Sequence, residues 1–232
     1  MAVLALLYDV HGNLPALEAV LDDARGQGAT HFVLGGDYTL FGPWPAETLA
    51  ALEELEDTDW IRGNGERWTA APDEAPDDDV VHGAIGACRR ALRPQAVKRL
   101  AGLPASLSLD GTLYCHGSPS SDVRSFLPEP GEDEAELLEG VTERRLVFGH
   151  THLPLARTTA SGVELVNPGS VGMPFDGDPR AAYALLGQDG EVEQRRVDYD
   201  HMAAAAAVRE RYGGGWTDTV ARCIEQATFQ PR

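Results

Sequence analysis

Short apolar runs alternate along the first part of the chain with segments in which apolar residues recur at helical spacing. Residues 2–8 are apolar without alternation, which is typical of a strand buried on both faces. Two further apolar runs follow at 31–34 and 59–62, and helical spacing over 14–21 and 46–56 separates the three runs. This strand-helix-strand-helix-strand order predicts a largely parallel sheet with helices packed on its faces.

The rest of the chain predicts helices together with antiparallel strand pairs. Two apolar runs, 106–109 and 112–115, flank the turn dipeptide Asp110-Gly111 and predict a hairpin. The other predicted elements are helices at 80–92, 94–101 and 133–140, a strand at 145–148, and strand pairs at 153–159 with 163–166 and at 181–186 with 191–197. Two further helices are predicted between about 200 and 227. We expect residues 1–197 to form the main domain and residues 198–232 a helical extension packed on it.

Composition and charge narrow the class of protein. Of the 232 residues, 43% are hydrophobic and 24% are charged, which provides enough apolar material for a sizeable core. The net charge of −18 repels a phosphate backbone and an anionic membrane surface, so we expect no bulk nucleic acid and no membrane as partners. Three widely spaced cysteines (Cys88, Cys115 and Cys223) and a start without a basic signal region indicate reduced thiols in the cytoplasm.

Five of the predicted strands end directly in side chains that can bind metal ions. These side chains are Asp9 with His11, Asp37, Asn64, His116, and His150 with His152, and they include four of the seven histidines. Ligands of open α/β sheets bind beyond the carboxyl ends of the strands, so we expect these side chains to converge. Seven mixed oxygen and nitrogen ligands exceed the needs of one tetrahedral zinc and suit the two-ion centres of phosphoester hydrolysis. Taken singly, each motif is also compatible with a turn or with a buried polar residue.

The same motifs, in this order, resemble those of the calcineurin-like metallophosphoesterase superfamily. They are Asp9-Val10-His11, Gly36-Asp37, Gly63-Asn64, His116-Gly117 and Gly149-His150-Thr151-His152, and the resemblance extends over residues 1–197. Residues 9–18 and Asn167-Pro168-Gly169-Ser170 are similar to its small bacterial branch, which is related to diadenosine tetraphosphatase-like phosphoesterases. The resemblance implies an α/β fold, namely a four-layer α/β/β/α sandwich with two mixed β-sheets, and a metal-dependent phosphoester hydrolase.

The resemblance also implies a role for each ligand. One divalent ion is held by Asp9, His11 and His152, the other is held by Asn64, His116 and His150, and Asp37 bridges the two. The catalytic group is Asp37, His116 and His150, and a hydroxide held between the ions attacks phosphorus. Mn is the expected metal, with Fe, Zn, Ni or Co as alternatives. Asn64 and its neighbours Arg62 and Arg67 are candidates for contacts with a substrate phosphate.

One position departs from the family pattern. Many members have a histidine after the motif asparagine, where it is thought to protonate the leaving group, and this chain has Gly65 instead. Because a general acid contributes roughly 10²–10⁴ in rate, we expect a preference for activated esters or nucleotide-type leaving groups. His82 is a candidate replacement acid, although a surface histidine is the simpler interpretation. Glu66 either orients a histidine or provides a negative charge at a helix start.

The sequence leaves the substrate and the assembly state open. We expect a small phosphorylated substrate of phosphodiester or nucleotide type, and both a phosphodiesterase and a phosphatase fit the motifs. The alternative is a non-catalytic metal-binding scaffold on the same fold, which the missing histidine at position 65 would suit. A homo-oligomer is compatible with the C-terminal helices.

Overall fold

Two mixed five-stranded sheets lie face to face in the computed structural model, which describes residues 3–229. The first sheet consists of β1 (Val3–Leu7), β2 (Ala29–Leu34), β3 (Thr58–Trp60), β9 (Ala181–Leu186) and β10 (Val192–Val197), in the spatial order β10-β9-β1-β2-β3. The second consists of β4 (Ser106–Leu109), β5 (Thr112–Cys115), β6 (Arg145–Val147), β7 (Leu155–Thr158) and β8 (Glu164–Asn167), in the spatial order β4-β5-β6-β8-β7. Strands β1, β2 and β3 are parallel, as the sequence predicts, and β9 runs antiparallel to β1.

Helices and turns cover the outer faces of the two sheets. The helices are α1 (Leu14–Gly26), α2 (Pro45–Glu53), α3 (Asn64–Ala70), α4 (Asp79–Ala91), α5 (Pro94–Ala101), α6 (Glu134–Leu137), α7 (His201–Arg211) and α8 (Trp216–Gln226), and Pro72–Glu74 form a 3₁₀ turn. The arrangement confirms the α/β fold class with two mixed sheets. Ala2 and residues 230–232, at the ends of the predicted first strand and of the predicted extension, lie outside the described residues.

The unalternating apolar run of β1 is explained by its position between two cores. Ala5 and Leu7 pack on one face with Leu17 and Val20 of α1, whereas Leu6 packs on the other face, between the two sheets. Successive side chains of a strand point to opposite faces, so a strand with a core on each side must be apolar at every position. The layer between the sheets contains Leu6, Tyr8, Val33 and Ile61 together with Tyr114, Val147 and Val166.

The outer face of the second sheet has a thinner cover. Leu146, Phe148 and Leu165 pack there against Phe126 and Leu137, which belong to the segment before α6 and to α6 itself. Cys115 is buried in this same cluster, on the face away from its neighbour His116, as its place in the strand predicts.

Helices α7 and α8 pack against one another at the C-terminal end of the described chain. Val208, Val220 and Ile224 form a cluster with Met173, and the half-buried Phe175 packs against it. Helix α8 also contacts α4. The last helix therefore lies beside the segment that follows β8.

The sequence pattern predicts no helix at residues 63–66, whereas the structure has one there. Asn64 begins helix α3, and the Glu66 carboxylate accepts a hydrogen bond from the Gly63 N–H at 2.9 Å, which satisfies a backbone donor at the start of that helix. The Gly-Asn-Gly sequence is typical of a turn, but the hydrogen bond between Gly63 and Glu66, three residues later in the chain, favours a helix instead.

None of the helices within residues 3–229 combines the length and the apolar character needed to cross a membrane.

Truncation of Leu6 to alanine is expected to lower the free energy of unfolding by about 2–5 kcal/mol, because Leu6 is fully buried between the sheets and its loss leaves a cavity. Urea unfolding measures the effect. The matched control is Met202→Ala, since Met202 is 53% exposed and should change stability by less than about 0.5 kcal/mol. Equal effects of the two substitutions would contradict the placement of Leu6.

Candidate metal centre

The carboxyl ends of β1, β2, β5 and β6 and the start of α3 meet at one point. All seven residues predicted as ligands lie there: Asp9, His11, Asp37, Asn64, His116, His150 and His152. Six of them are buried, and His150 is partly exposed. The convergence arises because β1 and β2 are neighbours in the first sheet, β5 and β6 are neighbours in the second, and the two sheets face each other.

A first group of ligand atoms surrounds Asp9 Oδ1. This oxygen lies 3.8 Å from His11 Nε2 and 3.4 Å from His152 Nε2. The two Nε2 atoms are 3.0 Å apart. These three residues form one of the two groups of the described chain that could hold a metal ion, and they are the set that the family resemblance implies for one ion.

A second group surrounds His116. Its Nε2 lies 3.5 Å from Asp37 Oδ1 and 3.8 Å from Asp9 Oδ1. One terminal atom of the Asn64 carboxamide lies 3.0 Å from His116 Nε2 and 2.8 Å from His150 Nδ1. An oxygen in that position can bind a cation together with both imidazoles, whereas a nitrogen would donate hydrogen bonds to them.

Asp37 reaches both groups, since its Oδ2 lies 3.9 Å from His11 Nε2 while its Oδ1 faces His116. Asp9 also approaches a histidine of each group. The two groups of side chains therefore share both carboxylates, and Asp9 lies between them as Asp37 does; the bridging role predicted for Asp37 stays a prediction.

Backbone carbonyl groups orient three of the histidines. His11 Nδ1 lies 3.0 Å from Leu40 O, His116 Nδ1 lies 2.8 Å from Gly35 O, and His152 Nδ1 lies 2.5 Å from Met173 O. A carbonyl oxygen only accepts hydrogen bonds, so each Nδ1 carries a proton and each Nε2 of a neutral ring presents a lone pair to the centre. This tautomer is the one that binds a metal through Nε2. Burial lowers the pKa of His116, but the neighbouring carboxylates of Asp37 and Asp9 outweigh burial and raise it, so a cation at the centre competes with a proton on this ring.

The buried polar atoms of the centre fit divalent cations. Asp9 Oδ1 is buried and has no hydrogen-bond partner within residues 3–229. Burial lowers the pKa of His11 to about 3 and that of His150 to about 4, so both imidazoles are neutral near pH 7, the form that can bind a metal ion. Burial also raises the pKa of Asp37 to about 7, which a bound cation would oppose. Imidazole, carboxylate and amide oxygen together suit first-row transition metals.

The backbone at the centre is held in an uncommon conformation. Positive φ angles occur at Asp9 (55°), His11 (51°), Asp37 (55°), His150 (66°) and His152 (57°). The left-handed region costs roughly 1–2 kcal/mol per residue other than glycine. Strain concentrated on ligand residues indicates that the surrounding structure holds these side chains for a function.

Glu66 supports the Asp37 loop. Its buried carboxylate accepts hydrogen bonds from the backbone N–H groups of Asp37 and Tyr38, both at 2.8 Å, as well as from that of Gly63. Of the two roles left open for Glu66, the charge at a helix start is therefore the one found, and the carboxylate also binds the ligand loop.

Two residues of the Asn167-Pro168-Gly169-Ser170 motif position the ligands, a role that sequence reasoning missed. The Ser170 hydroxyl donates to Asp9 O at 2.7 Å. Asn167 Nδ2 donates to Gly149 O at 3.1 Å and to Thr151 Oγ1 at 3.0 Å. The sequence did contain a signal for this role, namely the motif itself. It follows the predicted ligand motifs along the chain, and the sequence analysis assigned it no chemical function.

The two arginines predicted to bind phosphate have partners elsewhere. Arg62 Nη1 donates to Ala101 O at 3.1 Å. Arg67 forms a two-pronged ion pair with Asp122, at 2.7 and 2.6 Å, and a further pair with Glu74 at 2.9 Å. Neither arginine lines the cavity that opens beside the predicted metal ligands. Contact of these arginines with a substrate phosphate stays a prediction.

A cavity of about 810 Å³ opens beside the centre. Five of the residues predicted as ligands form part of its wall: His11, Asp37, Asn64, His150 and His152. The volume lies in the range of small-molecule sites, so a substrate of moderate size can reach the ligands. His82, the candidate acid, is exposed on α4 and is not among the described residues that line this cavity.

Comparisons with known proteins agree with this geometry. The family model for the calcineurin-like phosphoesterase superfamily domain matches residues 2–191. The phosphodiesterase YfcE of Escherichia coli is 29% identical over 200 residues, which cover 82% of this chain and 89% of that protein. An uncharacterized protein of Methanocaldococcus jannaschii, MJ0912, is 26% identical over 223 residues, which cover 86% of this chain and 88% of that protein. The crystal structure of a metallophosphoesterase from Sphaerobacter thermophilus superposes with a TM-score of 0.82 at 27% identity, covering 98% of this chain and 99% of that one.

Replacement of Glu66 by glutamine is expected to weaken the binding of Mn²⁺ by about 10–100-fold, the usual cost of losing a partner that orients a metal ligand. The amide keeps one oxygen, so it cannot accept all three backbone hydrogen bonds. Calorimetric titration of metal-stripped protein measures the affinity. Glu74→Gln is the matched control, because Glu74 is an exposed partner of Arg67. Unchanged Mn²⁺ affinity in Glu66→Gln would contradict the positioning role.

Proposed function

The chain belongs to the calcineurin-like phosphoesterase superfamily and is a metal-dependent phosphoester hydrolase, and we propose that it hydrolyses small phosphodiesters, including nucleotide-type esters, at a dinuclear centre. The single observation that carries the proposal is the pair of overlapping ligand groups, which share carboxylates at one end of the facing sheets. A single ion could not be coordinated by all seven of these side chains, so several of them would bind no metal.

The proposed ligand sets follow the two groups of atoms. Asp9, His11 and His152 hold one divalent ion, and Asn64, His116 and His150 hold the other. Asp37 contributes to both. Bound cations polarise phosphoryl oxygens and lower the pKa of water, so no side chain of the protein has to act as a nucleophile.

The chain's own residues position the substrate and keep the ligands in place. Of the proposed catalytic residues, Asp37 and His150 line the cavity, whereas His116 lies buried behind them and holds its Nε2 toward Asp37. Because His150 is partly exposed, it is the proposed ligand nearest to solvent. Asn64 also lines the cavity, which supports its proposed contact with a phosphate.

Two observations favour a phosphodiester over a phosphomonoester. YfcE, which matches most of the chain, carries the name phosphodiesterase. A diester bears one negative charge and a monoester up to two, and none of the described residues lining the cavity is a lysine or an arginine that would neutralise the second charge. The net charge of −18 supports a small substrate rather than bulk nucleic acid, and the cysteine pattern supports a cytoplasmic location.

The scaffold alternative is set aside, because the superfamily model matches most of the chain and the ligand residues lie together. Mn²⁺ remains the proposed metal.

Hydrolysis of bis(p-nitrophenyl) phosphate is expected to vanish on removal of metal and to return with Mn²⁺, with p-nitrophenyl phosphate turned over more slowly. Asp37→Asn and His150→Ala should each lower kcat/KM at saturating Mn²⁺ by at least about 100-fold, since even a partner that only orients a ligand contributes about 10–100-fold. His31→Ala is the matched control, because His31 pairs with Asp59 away from the centre. Activity of either ligand variant at the level of the control would refute the proposal.

A strong dependence on the leaving group is expected from position 65. The Gly65 N–H donates to Asp37 Oδ1 at 2.7 Å, and a Cβ at this position would lie only 2.9 Å from that oxygen, so no side chain is available there as an acid. Aryl diesters should therefore exceed alkyl diesters of matched size in kcat/KM by at least about 100-fold. Steady-state kinetics with Mn²⁺ measure the ratio. Equal values for the two esters would mean that another group protonates the leaving oxygen.

A further inference from the structure

The wall of the cavity beyond the metal ligands is largely apolar. Trp68 of α3, Val81 of α4 and Val220 of α8 contribute to it, together with Leu127, Phe175 and Phe229 from connecting segments. Phe175 stacks on the ligand His152 with ring centroids 4.3 Å apart, and Phe229 lies 5.5 Å from Phe175. A continuous aromatic surface therefore leads from a metal ligand to the rim of the cavity.

Exposed apolar side chains are concentrated at this cavity. Four large hydrophobic residues of the described chain are exposed: Val123 (43%), Leu127 (52%), Met202 (53%) and Phe229 (66%). Three of the four line the cavity, and Met202 does not. Apolar side chains that gather at one opening and remain exposed indicate a binding surface for an apolar group.

The charges around the cavity restrict its occupant further. Lysine and arginine are absent from the lining within residues 3–229, whereas Asp78, Asp133 and Glu134 contribute to it. Arg67 is held by Asp122 and Glu74 instead. Asp133 and Glu134 pair with Arg124 and Arg157, which do not line the cavity. A second phosphate or a carboxylate in the cavity would therefore meet carboxylates and no lining cation, which is unfavourable where water is excluded.

We propose that the cavity binds the apolar ester group of a singly charged phosphodiester, so that the substrates are diesters of a large hydrophobic alcohol. The inference rests on the proposed phosphodiesterase function and specifies its substrate class. Hydrolysis adds water across one P–O ester bond and releases an alcohol and a monoester. The phosphodiester group lies at the metal ligands, and the hydrophobic group extends along Phe175 toward Leu127 and Phe229.

A series of p-nitrophenyl alkyl phosphates tests the proposal, because the leaving group stays the same while the other ester group changes. With Mn²⁺-loaded protein, kcat/KM is expected to rise at least about 30-fold from the methyl to the hexyl ester, since a fully buried methylene contributes up to about fourfold. The 5-carboxypentyl ester has nearly the same length and one more negative charge. Its kcat/KM should be at least about tenfold below that of the hexyl ester, because the added carboxylate loses water and gains no cation.

Two variants test whether the dependence of kcat/KM on the length of the ester group arises at the rim of this cavity. Leu127→Asp should lower the hexyl-to-methyl ratio of kcat/KM by at least about tenfold, because it places a charge on the apolar rim. Met202→Asp is the matched control, since Met202 is equally exposed and lies outside the cavity lining. The control should keep the ratio of the unmodified protein. A ratio that falls equally in both variants overturns the assignment of the hexyl group to this cavity.

Binding to metal-stripped protein separates this inference from the proposed function. Fluorescence of Trp68 and the other tryptophans should change on titration with hexyl methyl phosphate and much less with dimethyl phosphate. If Mn²⁺-loaded protein hydrolyses neither the methyl nor the hexyl ester of p-nitrophenyl phosphate, the proposed function fails, and chain-length-dependent binding still supports the apolar site. If these two p-nitrophenyl esters are hydrolysed with equal kcat/KM, the function stands and the inference about the cavity is overturned. Absence of chain-length-dependent binding overturns it as well.

Discussion

The rest of the structure depends on one electrostatic constraint. Carboxylate oxygens and imidazole nitrogens lie close together in a buried centre, with their lone pairs facing one another. Oxygens of Asp9 and Asp37 face the Nε2 atoms of three histidines at 3.4–3.9 Å. The ring protons of those histidines point the other way, to backbone carbonyl groups. At low effective dielectric such a group is repulsive unless positive charge lies within it. Folding and cation binding are therefore linked, and the folded centre gains stability from every ion that it binds.

The remainder of the fold serves to hold this repulsive group together. Five of the ligand residues have left-handed backbone, which a flexible loop would relax. Glu66 binds the Asp37 loop from one side, and Ser170 binds the backbone of Asp9 from the other. Both contacts originate in segments fixed by the packed sheets, so the core between the sheets offsets the strain at the centre. The buried apolar core and the strained polar centre therefore depend on each other, because burial in the core stabilises the backbone conformation that the centre requires.

The sequence predicts those features that depend on local pattern. The run of β1 indicates a strand with a core on each face, and Leu6 and Leu7 do pack in different clusters. The ligand residues are recognisable because each follows a strand. Contacts between distant segments are not recognisable in this way. Helix α3 was missed because the contacts of Glu66 include the Asp37 loop, 28 and 29 residues away, and the pairing of Arg67 with Asp122 spans 55 residues. The apolar cavity wall likewise combines residues of separate segments, and the sequence pattern of any one segment does not identify it.

The location of that wall along the chain affects how such proteins diversify. The superfamily model ends at residue 191, whereas Val220 of α8 and Phe229 follow it and form part of the cavity. All seven proposed ligands precede residue 191. Part of the apolar wall thus lies on a stretch of the gene that follows all seven proposed ligands. Recombination within the last stretch alters what enters the cavity and preserves the catalytic apparatus, so a chimeric protein with a foreign C-terminal segment is a direct route to new specificity.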